Sequence, residues 1–270
     1  MRYFFDEWGK IKKKLMDKFL FLFLDYDGTL TPIVKTPDKA FLSEEAKELL
    51  KKLAKVSDCP LAIISGGALK DIKSRVGLKG IIYVGNHGLE IEGPKIKFES
   101  QISPRLKSII RHIYEDARSK FSRIKGVLIE DKGLTISIHY RLVDKKDIPE
   151  LKRILAAIVE PYIVRNKIKI NSGKKVYEIK PPVQWDKGKV VLWLMARQQF
   201  VQGDDKIFPI YIGDDNTDED AFRALKNKGI AIFVGRSGKS EAQYYLKNTQ
   251  EVAEFIRRIT ELKKRKICQN

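Results

Sequence analysis

The feature that most constrains the fold is an uninterrupted run of six apolar residues, Phe19 to Leu24, which ends in the turn-forming sequence Asp-Tyr-Asp-Gly. Such a run, closed by a turn, is typical of a strand buried on both faces of a parallel sheet. Functional groups tend to lie where such strands end. The run is also shorter than a secretory signal core and far shorter than the roughly 20 residues that a membrane span needs, so we expect a cytoplasmic protein.

Other short apolar runs repeat this plan along the chain. Helical patterns separate several of them, for example Ser43 to Val56, in which Ser43 is a plausible N-cap followed by two glutamates. Alternating strands and helices predict a doubly wound parallel α/β sheet. The predicted strands after the first are Leu61–Ile64, Ile81–Val84, Ile210–Ile212 and Ile230–Val234.

The middle of the chain breaks this alternation. From about Gly88 to Lys180, three apparent strand pairs are separated by two long helical patterns, near Ser103–Phe121 and Lys145–Val159. This layout predicts an antiparallel sheet with helices on one face, and Pro181-Pro182 marks the return to the first domain. We therefore expect an inserted α+β domain over residues 92–182, between the two parts of a catalytic core at 1–91 and 183–270. The predicted pairs are Leu89–Glu92 with Ile96–Glu99, Val127–Glu130 with Leu134–Tyr140, and Tyr162–Ile170 with Val176–Ile179.

The chain is strongly basic. Its 270 residues include 53 Lys and Arg against 35 Asp and Glu, a net charge of +18, which attracts nucleic acid, anionic membranes or small anionic substrates alike. The basic run Lys263–Lys266 is interpreted as the solvated end of a helix rather than a nucleic-acid patch, because no aromatic platform accompanies it. Cys59 and Cys268 are predicted to be free thiols, and the lack of paired Cys or His spacing argues against a zinc site.

Two carboxylates, Asp25 and Asp27, directly follow the first strand, and Gly28 allows a sharp turn that brings both to one pocket. A carboxylate at a strand end can attack phosphorus, and a second one two residues later can move the proton to the leaving oxygen. The alternative is that the Asp-Gly pair only forms a turn and has no catalytic role, which is the usual meaning of this dipeptide by itself.

A second candidate loop, Ser65-Gly66-Gly67, follows the strand Leu61–Ile64 and precedes a helix near Ala68. Main-chain N–H groups at such a helix start bind phosphate, although the same sequence also serves as an ordinary strand-to-helix connection.

A third candidate is the sequence Gly-Asp-Asp-Asn-Thr-Asp-Glu-Asp at 213–220, which places five acidic residues within seven positions. So dense a cluster in a basic chain needs a counter-charge, which Mg²⁺ supplies with one or two carboxylates. We expect Asp214 at the metal and Asp218–Asp220 at the start of a helix. The alternatives are a calcium loop, whose Gly and Glu spacing is missing, and simple helix capping.

Lys187 opens the helix that returns to the core. A lone lysine normally faces solvent, but a fixed cation would stabilise the charge of a transferring phosphoryl group. Lys189 is the alternative candidate.

These four pieces, in this order, resemble the haloacid dehalogenase superfamily, and their detail resembles its trehalose-6-phosphate phosphatase family over about residues 19–260. One departure is Gly67, where many relatives carry arginine. The motifs that carry the closer resemblance are DYDGTLTPI from Asp25, GNHGLEI from Gly85, His139-Tyr140-Arg141, Glu178, and GDDNTDEDAF from Gly213.

The resemblance implies a role for each matched residue. Asp25 is the expected nucleophile and Asp27 the acid and base, while Ser65 and Lys187 hold the phosphoryl oxygens. Mg²⁺ is expected at Asp25, the main-chain carbonyl of Asp27, and Asp214. The insert becomes a cap that reads the sugar, and the expected substrate contacts are Gly66, Asn86, His87, Gly88, Arg141 and Glu178. Without the resemblance, His87 is a turn histidine and Glu178 a surface residue paired with Lys175 or Lys180.

The expected function is Mg²⁺-dependent hydrolysis of trehalose 6-phosphate through an aspartyl phosphate. The nearest alternative is the same chemistry on sucrose phosphate or a mannosyl phosphoglycerate. A catalytically silent basic binding module is the alternative from another class, and the intact acidic set argues against it. The expected partner is a small sugar phosphate, with no nucleic acid and no membrane, and the oligomeric state stays open.

Overall fold

The computed structural model describes residues 1–36, 39–202, 207–236 and 239–267, and Cys268 lies outside them. The chain divides into two compact units, Met1–Phe98 with Trp185–Asn270, and Glu99–Gln184. The described strands are β1 Arg2–Tyr3, β2 Phe19–Asp25, β3 Leu61–Ile64, β4 Ile82–Gly85, β5 Glu90–Gly93, β6 Ile96–Glu99, β7 Leu128–Asp131, β8 Ile136–His139, β9 Lys169–Gly173, β10 Val176–Lys180, β11 Ile207–Gly213, β12 Ile230–Val234 and β13 Tyr244–Leu246. The described α-helices are α1 Trp8–Leu15, α2 Glu44–Leu53, α3 Leu69–Val76, α4 Pro104–Lys120, α5 Ile148–Ile163, α6 Lys187–Gln202, α7 Glu219–Ala224 and α8 Thr249–Ile267.

The first unit is built on a sheet with the strand order β1-β13-β12-β11-β2-β3-β4-β5-β6. Every pairing from β1 to β4 in this order is parallel. Helices cover both faces, because Leu20, Leu22 and Leu24 of β2 pack into one apolar cluster while Phe21 and Phe23 pack into the other. The predicted doubly wound α/β class is confirmed.

The assignment of the first strand pair to the insert was wrong. β5 is antiparallel to β4, with Val84 opposite Ile91, so the β5–β6 pair extends the sheet of the first unit. Ile91 and Ile96 are buried in the same cluster as Val84, and this burial against the main sheet outweighs the local hairpin signal.

The second unit contains an antiparallel sheet with the strand order β7-β8-β10-β9. One apolar cluster joins this sheet to α4 and α5 through residues such as Ile113, Leu155 and Ile138. The predicted strand Tyr162–Ile170 was wrong except for its last two residues, because α5 continues through Ile163 and β9 begins only at Lys169. Tyr162 packs against the apolar cluster from the helix.

The end of α8 also differs from the prediction. Lys263 was expected in solvent, but its side chain is fully buried, donates to the main-chain carbonyls of Met16 and Lys18, and lies 3.1 Å from Oδ2 of Asp58. The reason is helical periodicity, which puts Lys263 on the same face as the buried Ile259 four residues earlier. Lys264 is exposed, as expected.

Among the described residues, no helix is both long enough and apolar enough to cross a bilayer. Cys59 is a buried free thiol, and burial raises its pKa.

Candidate active site

The candidate residues of the first unit lie where its central parallel strands end. Asp25 is the last residue of β2, Ser65 follows β3, Asn86 follows β4 and Asp214 follows β11. The register brings these ends level, since Asp25 is paired with Ile64 and Leu24 with Ile212. Four loops that are distant in sequence therefore meet at the carboxyl edge of one sheet.

Three buried carboxylates converge at this edge. Asp25, Asp214 and Asp218 each offer an oxygen, and these oxygens all lie within 4.8 Å of one another. The backbone of Gly28 allows this approach, because its φ is +88° and a Cβ there would overlap the carboxylate of Asp214. Asp27 lies on the same turn, with its side chain exposed and its main chain bridged to Thr31.

Lys187 enters this cluster from the first turn of α6. Its ammonium donates to Oδ1 of Asp25 at 2.6 Å and to Oδ1 of Asp218 at 2.7 Å, and its side chain is only 4% exposed. Lys187 is therefore not the solvent-facing lysine of the alternative interpretation. Lys189 is 45% exposed and lies 3.9 Å from Asp186 at the surface.

Asp218 and Tyr211 belong to the cluster in a way that sequence reasoning missed. Asp218 was expected to open a helix, and it does close a capping box with Asp215, but its carboxylate also accepts from four donors. Oδ1 takes the Lys187 ammonium and the Tyr211 hydroxyl, the latter at 2.6 Å, and Oδ2 takes the N–H groups of Asp214 and Asp215 at 3.0 and 2.9 Å. The only sequence signal was the four-residue spacing from Asp214.

The electrostatics of the cluster favour a further cation. Burial, and then the charges of Asp218 and Asp214, raise the pKa of Asp25 well above its ordinary value, and Lys187 offsets this only in part. Burial alone would lower the pKa of Lys187, but Asp218 and Asp25 outweigh it and hold the ammonium charged. Three carboxylates and one ammonium leave a net charge of −2 when all are ionised.

The donor set fits a divalent ion that prefers oxygen. Mg²⁺ takes carboxylates and carbonyls and is usually bound by one or two carboxylates in sites that also hold phosphate. Because the four donors occupy both oxygens of Asp218, Asp25 and Asp214 are the better ligands of the three.

Two neighbouring loops are held together at the same edge. The N–H of Asn86 donates to the carbonyl of Gly67 at 2.8 Å, and that of His87 to the carbonyl of Ser65 at 3.2 Å. Asn86 and His87 both adopt left-handed backbone angles, with φ of +48° and +54°, and Glu90 accepts from the amide of Asn86 at 2.5 Å. The buried Ser65 hydroxyl accepts from the N–H of Gly67, next to the half-buried Gly66.

Gly88 ends this second loop, where a Cβ would collide with Val190 and approach the indole of Trp185 to 2.8 Å. Its carbonyl accepts the indole N–H of Trp185 at 2.5 Å. The predicted substrate-contacting loop is therefore fixed to the start of α6.

In the second unit, Glu178 is buried rather than on the surface. Its carboxylate accepts from the ammonium of Lys132 and the hydroxyl of Ser137, each at 3.2 Å, so it is not the surface residue of the alternative interpretation. The reason is the register of the sheet, which aligns Glu178 with Ser137 across β8 and β10.

The polar residues around Glu178 form a row across this sheet. Glu130 lies opposite Ser137 on the other side, and its Oε2 lies 3.0 Å from Nε2 of His139, from which a carboxylate can only accept. Arg141 lies outside the row, is exposed, and donates to the carbonyl of Lys174 at 2.7 Å. A buried glutamate and lysine on a sheet face are polar groups that a sugar could engage.

Comparison with known proteins gives the class of this fold and site. The chain aligns with the structure of a haloacid dehalogenase-like hydrolase from Bacteroides thetaiotaomicron at a TM-score of 0.64 and 17% identity. The alignment covers 90% of this chain and all of the other, and at this identity it shows a likeness of fold alone. A solved trehalose-6-phosphate phosphatase related protein aligns at a TM-score of 0.78 and 26% identity, over 91% of this chain and 99% of the other. The fold is that of the haloacid dehalogenase-like hydrolases.

Sequence comparison narrows the class. Residues 23–250 match the trehalose-phosphatase family model. The chain is also 35% identical over 266 residues to trehalose-phosphate phosphatase B of Arabidopsis thaliana, covering 93% of this chain and 68% of that protein. The chain belongs to the trehalose-phosphatase family, whose members are phosphoric monoester hydrolases.

Proposed function

We propose that this protein hydrolyses trehalose 6-phosphate to trehalose and phosphate, with Mg²⁺ and through an aspartyl phosphate on Asp25. The observation that carries the proposal is the Lys187 ammonium bonded to Asp25 inside a buried carboxylate cluster. A buried ammonium there keeps the attacking carboxylate oriented and offsets charge on the phosphoryl oxygens.

The residues of the first unit divide the reaction into two steps. Asp25 attacks phosphorus, the bond from phosphorus to the sugar oxygen breaks, and Asp27 gives its proton to that oxygen. Asp27 then takes a proton from water, which attacks the aspartyl phosphate and releases phosphate and free Asp25. The exposure of Asp27 supports this role, because its carboxylate has access to the water that the second step consumes.

Asp25, Asp214 and the main-chain carbonyl of Asp27 would hold Mg²⁺. The bound ion supplies neutralising charge for the carboxylate cluster and the phosphoryl group. Lys187 and the Ser65 loop would hold the remaining phosphoryl oxygens, with Gly66 and Gly67 providing N–H groups. At Gly67 no arginine is available for that contact.

Recognition of the sugar is assigned to residues of both units. The proposed sugar contacts of the first unit are Asn86, His87 and Gly88. Those of the second unit are Glu178 and Arg141, and the second unit would act as the specificity domain. The burial of Glu178 beside Lys132 supports this assignment, since paired buried charges on a sheet can donate to and accept from hydroxyls. The cytoplasmic location and the lack of a nucleic-acid partner stay predictions from the sequence.

Phosphate release from a panel of sugar phosphates tests the proposal. Trehalose 6-phosphate should be hydrolysed with a higher kcat/KM than sucrose 6-phosphate, mannosyl phosphoglycerate or glucose 6-phosphate. Chelation by EDTA should abolish release, and added Mg²⁺ should restore it, because the net negative cluster repels a phosphate dianion.

Other outcomes would redirect the proposal. Preference for another sugar phosphate would retain the chemistry and replace the substrate. Full activity in chelator, with no metal found by elemental analysis, would contradict the role of Mg²⁺. Inactivity on the whole panel, with retention of nucleic acid on a filter at physiological salt, would favour the basic binding module.

A further inference from the structure

The phenol of Tyr211 is a fifth polar group in the cluster, after three carboxylates and the Lys187 ammonium, and the reaction described above assigns it no role. Tyr211 lies in the middle of β11, is fully buried, and donates its hydroxyl to Oδ1 of Asp218 at 2.6 Å. We infer that Tyr211 is a positioning residue for phosphoryl transfer, which shares Oδ1 of Asp218 with Lys187 and so leaves the ammonium available to Asp25. This inference rests on the proposed function.

The first step is that Asp218 acts as a fixed acceptor. Its other oxygen is held by two main-chain N–H groups, from Asp214 and Asp215, so the carboxylate has little freedom to rotate. The backbone of Gly213 packs against it so closely that a Cβ there would overlap the carboxylate. The position of Oδ1 of Asp218 is therefore fixed for any group that donates a hydrogen bond to it.

The second step is that two donors share that oxygen. Lys187 lies 2.7 Å from Oδ1 of Asp218 and 2.6 Å from Oδ1 of Asp25, so its ammonium is divided between two carboxylates. A short hydrogen bond from a neutral phenol takes up part of the charge on Oδ1 without adding a positive charge. Without that bond, Asp218 would attract the ammonium more strongly and draw it from Asp25.

The third step is that packing alone does not account for the hydroxyl. The ring of Tyr211 contacts Phe222 edge-on, with centroids 5.7 Å apart, and lies nearly parallel to Phe23 at 6.5 Å. Phenylalanine would make both contacts equally well. A buried hydroxyl needs a partner, and here the partner is the carboxylate that holds Lys187.

The test removes the hydroxyl and then restores a donor. Tyr211→Phe should lower kcat about tenfold, the effect of one hydrogen bond to a charged group, and leave KM within about twofold. The loss should be equal on trehalose 6-phosphate and nitrophenyl phosphate, because the group lies in the unit that performs the chemistry. Replacement of Tyr211 by 4-aminophenylalanine, which keeps an N–H donor at the same ring position, should return kcat to within about threefold of the wild type.

Tyr83→Phe is the matched control. Tyr83 is also a buried tyrosine of the first unit, but its hydroxyl donates to the carbonyl of Leu78 at 2.8 Å and contacts no acidic residue of the cluster. This variant should lose thermal stability in the same range as Tyr211→Phe and keep kcat and KM within about twofold of wild type.

Three results would overturn the inference. They are an unchanged kcat in Tyr211→Phe, a 4-aminophenylalanine variant as slow as the phenylalanine one, and failure of both variants to fold, which would make Tyr211 a residue of the folding core. An error in the proposed substrate can be distinguished from an error in the role of Tyr211. In the first case the wild type would not hydrolyse trehalose 6-phosphate, while the rates on nitrophenyl phosphate would still measure the effect of Tyr211→Phe.

Discussion

Gly28 is a residue at which the site depends on the lack of a side chain. Its backbone is left-handed and its Cα faces the carboxylate of Asp214, so the turn after β2 and the loop after β11 approach each other only because no Cβ intervenes. The sequence predicted the turn from Asp-Gly, but the contact with Asp214 joins residues 186 positions apart, and local patterns carry no information on such a contact.

Gly28→Ala should therefore lose activity as well as stability. Displacement of Asp214 by the new methyl group should lower kcat/KM about a hundredfold or more, the scale of a 1 Å misplacement in an active site. The matched control is Gly80→Ala, since Gly80 has a similar φ of +81° but open space around the Cβ position. It should cost about 1 kcal/mol of unfolding free energy in urea denaturation and leave kcat/KM unchanged. Equal activity of the two variants would refute this account of Gly28.

At the scale of elements, the central strands and the helix starts were predictable because their signals are local. β3 and β12 have the predicted bounds, and Ser43 caps α2 by accepting from the N–H of Ala46 at 3.1 Å. Pairing partners and buried polar groups were not predictable. The partner of Glu178 is 46 residues away and that of Asp25 is 162 away, so both depend on tertiary register.

Lys263 joins several elements of the first unit, and its substitution is expected to have a large effect on stability. Its buried ammonium ties α8 to the chain segment before β2 and to Asp58 before β3. Lys263→Met would leave Asp58 and two carbonyls without this donor, and the free energy of unfolding should fall by about 3 kcal/mol. The residues to which the proposed mechanism assigns catalysis lie at the opposite ends of β2 and β3, so kcat of the folded enzyme should be unchanged.

The exposed neighbour Lys264 provides the control for the substitution of Lys263. Lys264→Met should shift the unfolding free energy by less than about 0.5 kcal/mol, since the side chain lies at the surface. A similar loss of stability in both variants would show that charge at the end of α8, rather than the buried contact of Lys263, is responsible.

At the scale of the whole molecule, the proposal separates chemistry from specificity. The carboxylate cluster, Lys187 and the Ser65 loop all belong to the first unit, whereas Glu178 belongs to the second. The parallel sheet and the position of Asp25 and Asp214 at its strand ends followed from sequence patterns. The specificity domain was predicted from strand pairs and a family resemblance. The first of these pairs belongs to the main sheet instead, because a local hairpin pattern predicts two paired strands but not the sheet in which they lie.

Glu178→Gln tests this separation, because it keeps the size of the side chain and an acceptor for Lys132 while removing the charge. We expect kcat/KM for trehalose 6-phosphate to fall about tenfold, and hydrolysis of nitrophenyl phosphate, which offers no sugar hydroxyls, to stay within about twofold. Glu150→Gln, at an exposed glutamate of α5, should change neither rate. Equal losses of Glu178→Gln on both substrates would assign Glu178 to the fold or to the chemical step.

The most direct measurement of the central claim is phosphate release from trehalose 6-phosphate by the wild type and by Asp25→Asn, side by side with Mg²⁺. The amide has nearly the shape of the carboxylate but cannot attack phosphorus. We predict that the variant has the circular dichroism spectrum of the wild type, since the fold does not depend on the charge of Asp25, and that phosphate release falls to background. A folded variant that retains about a tenth or more of the wild-type kcat would contradict nucleophilic attack by Asp25.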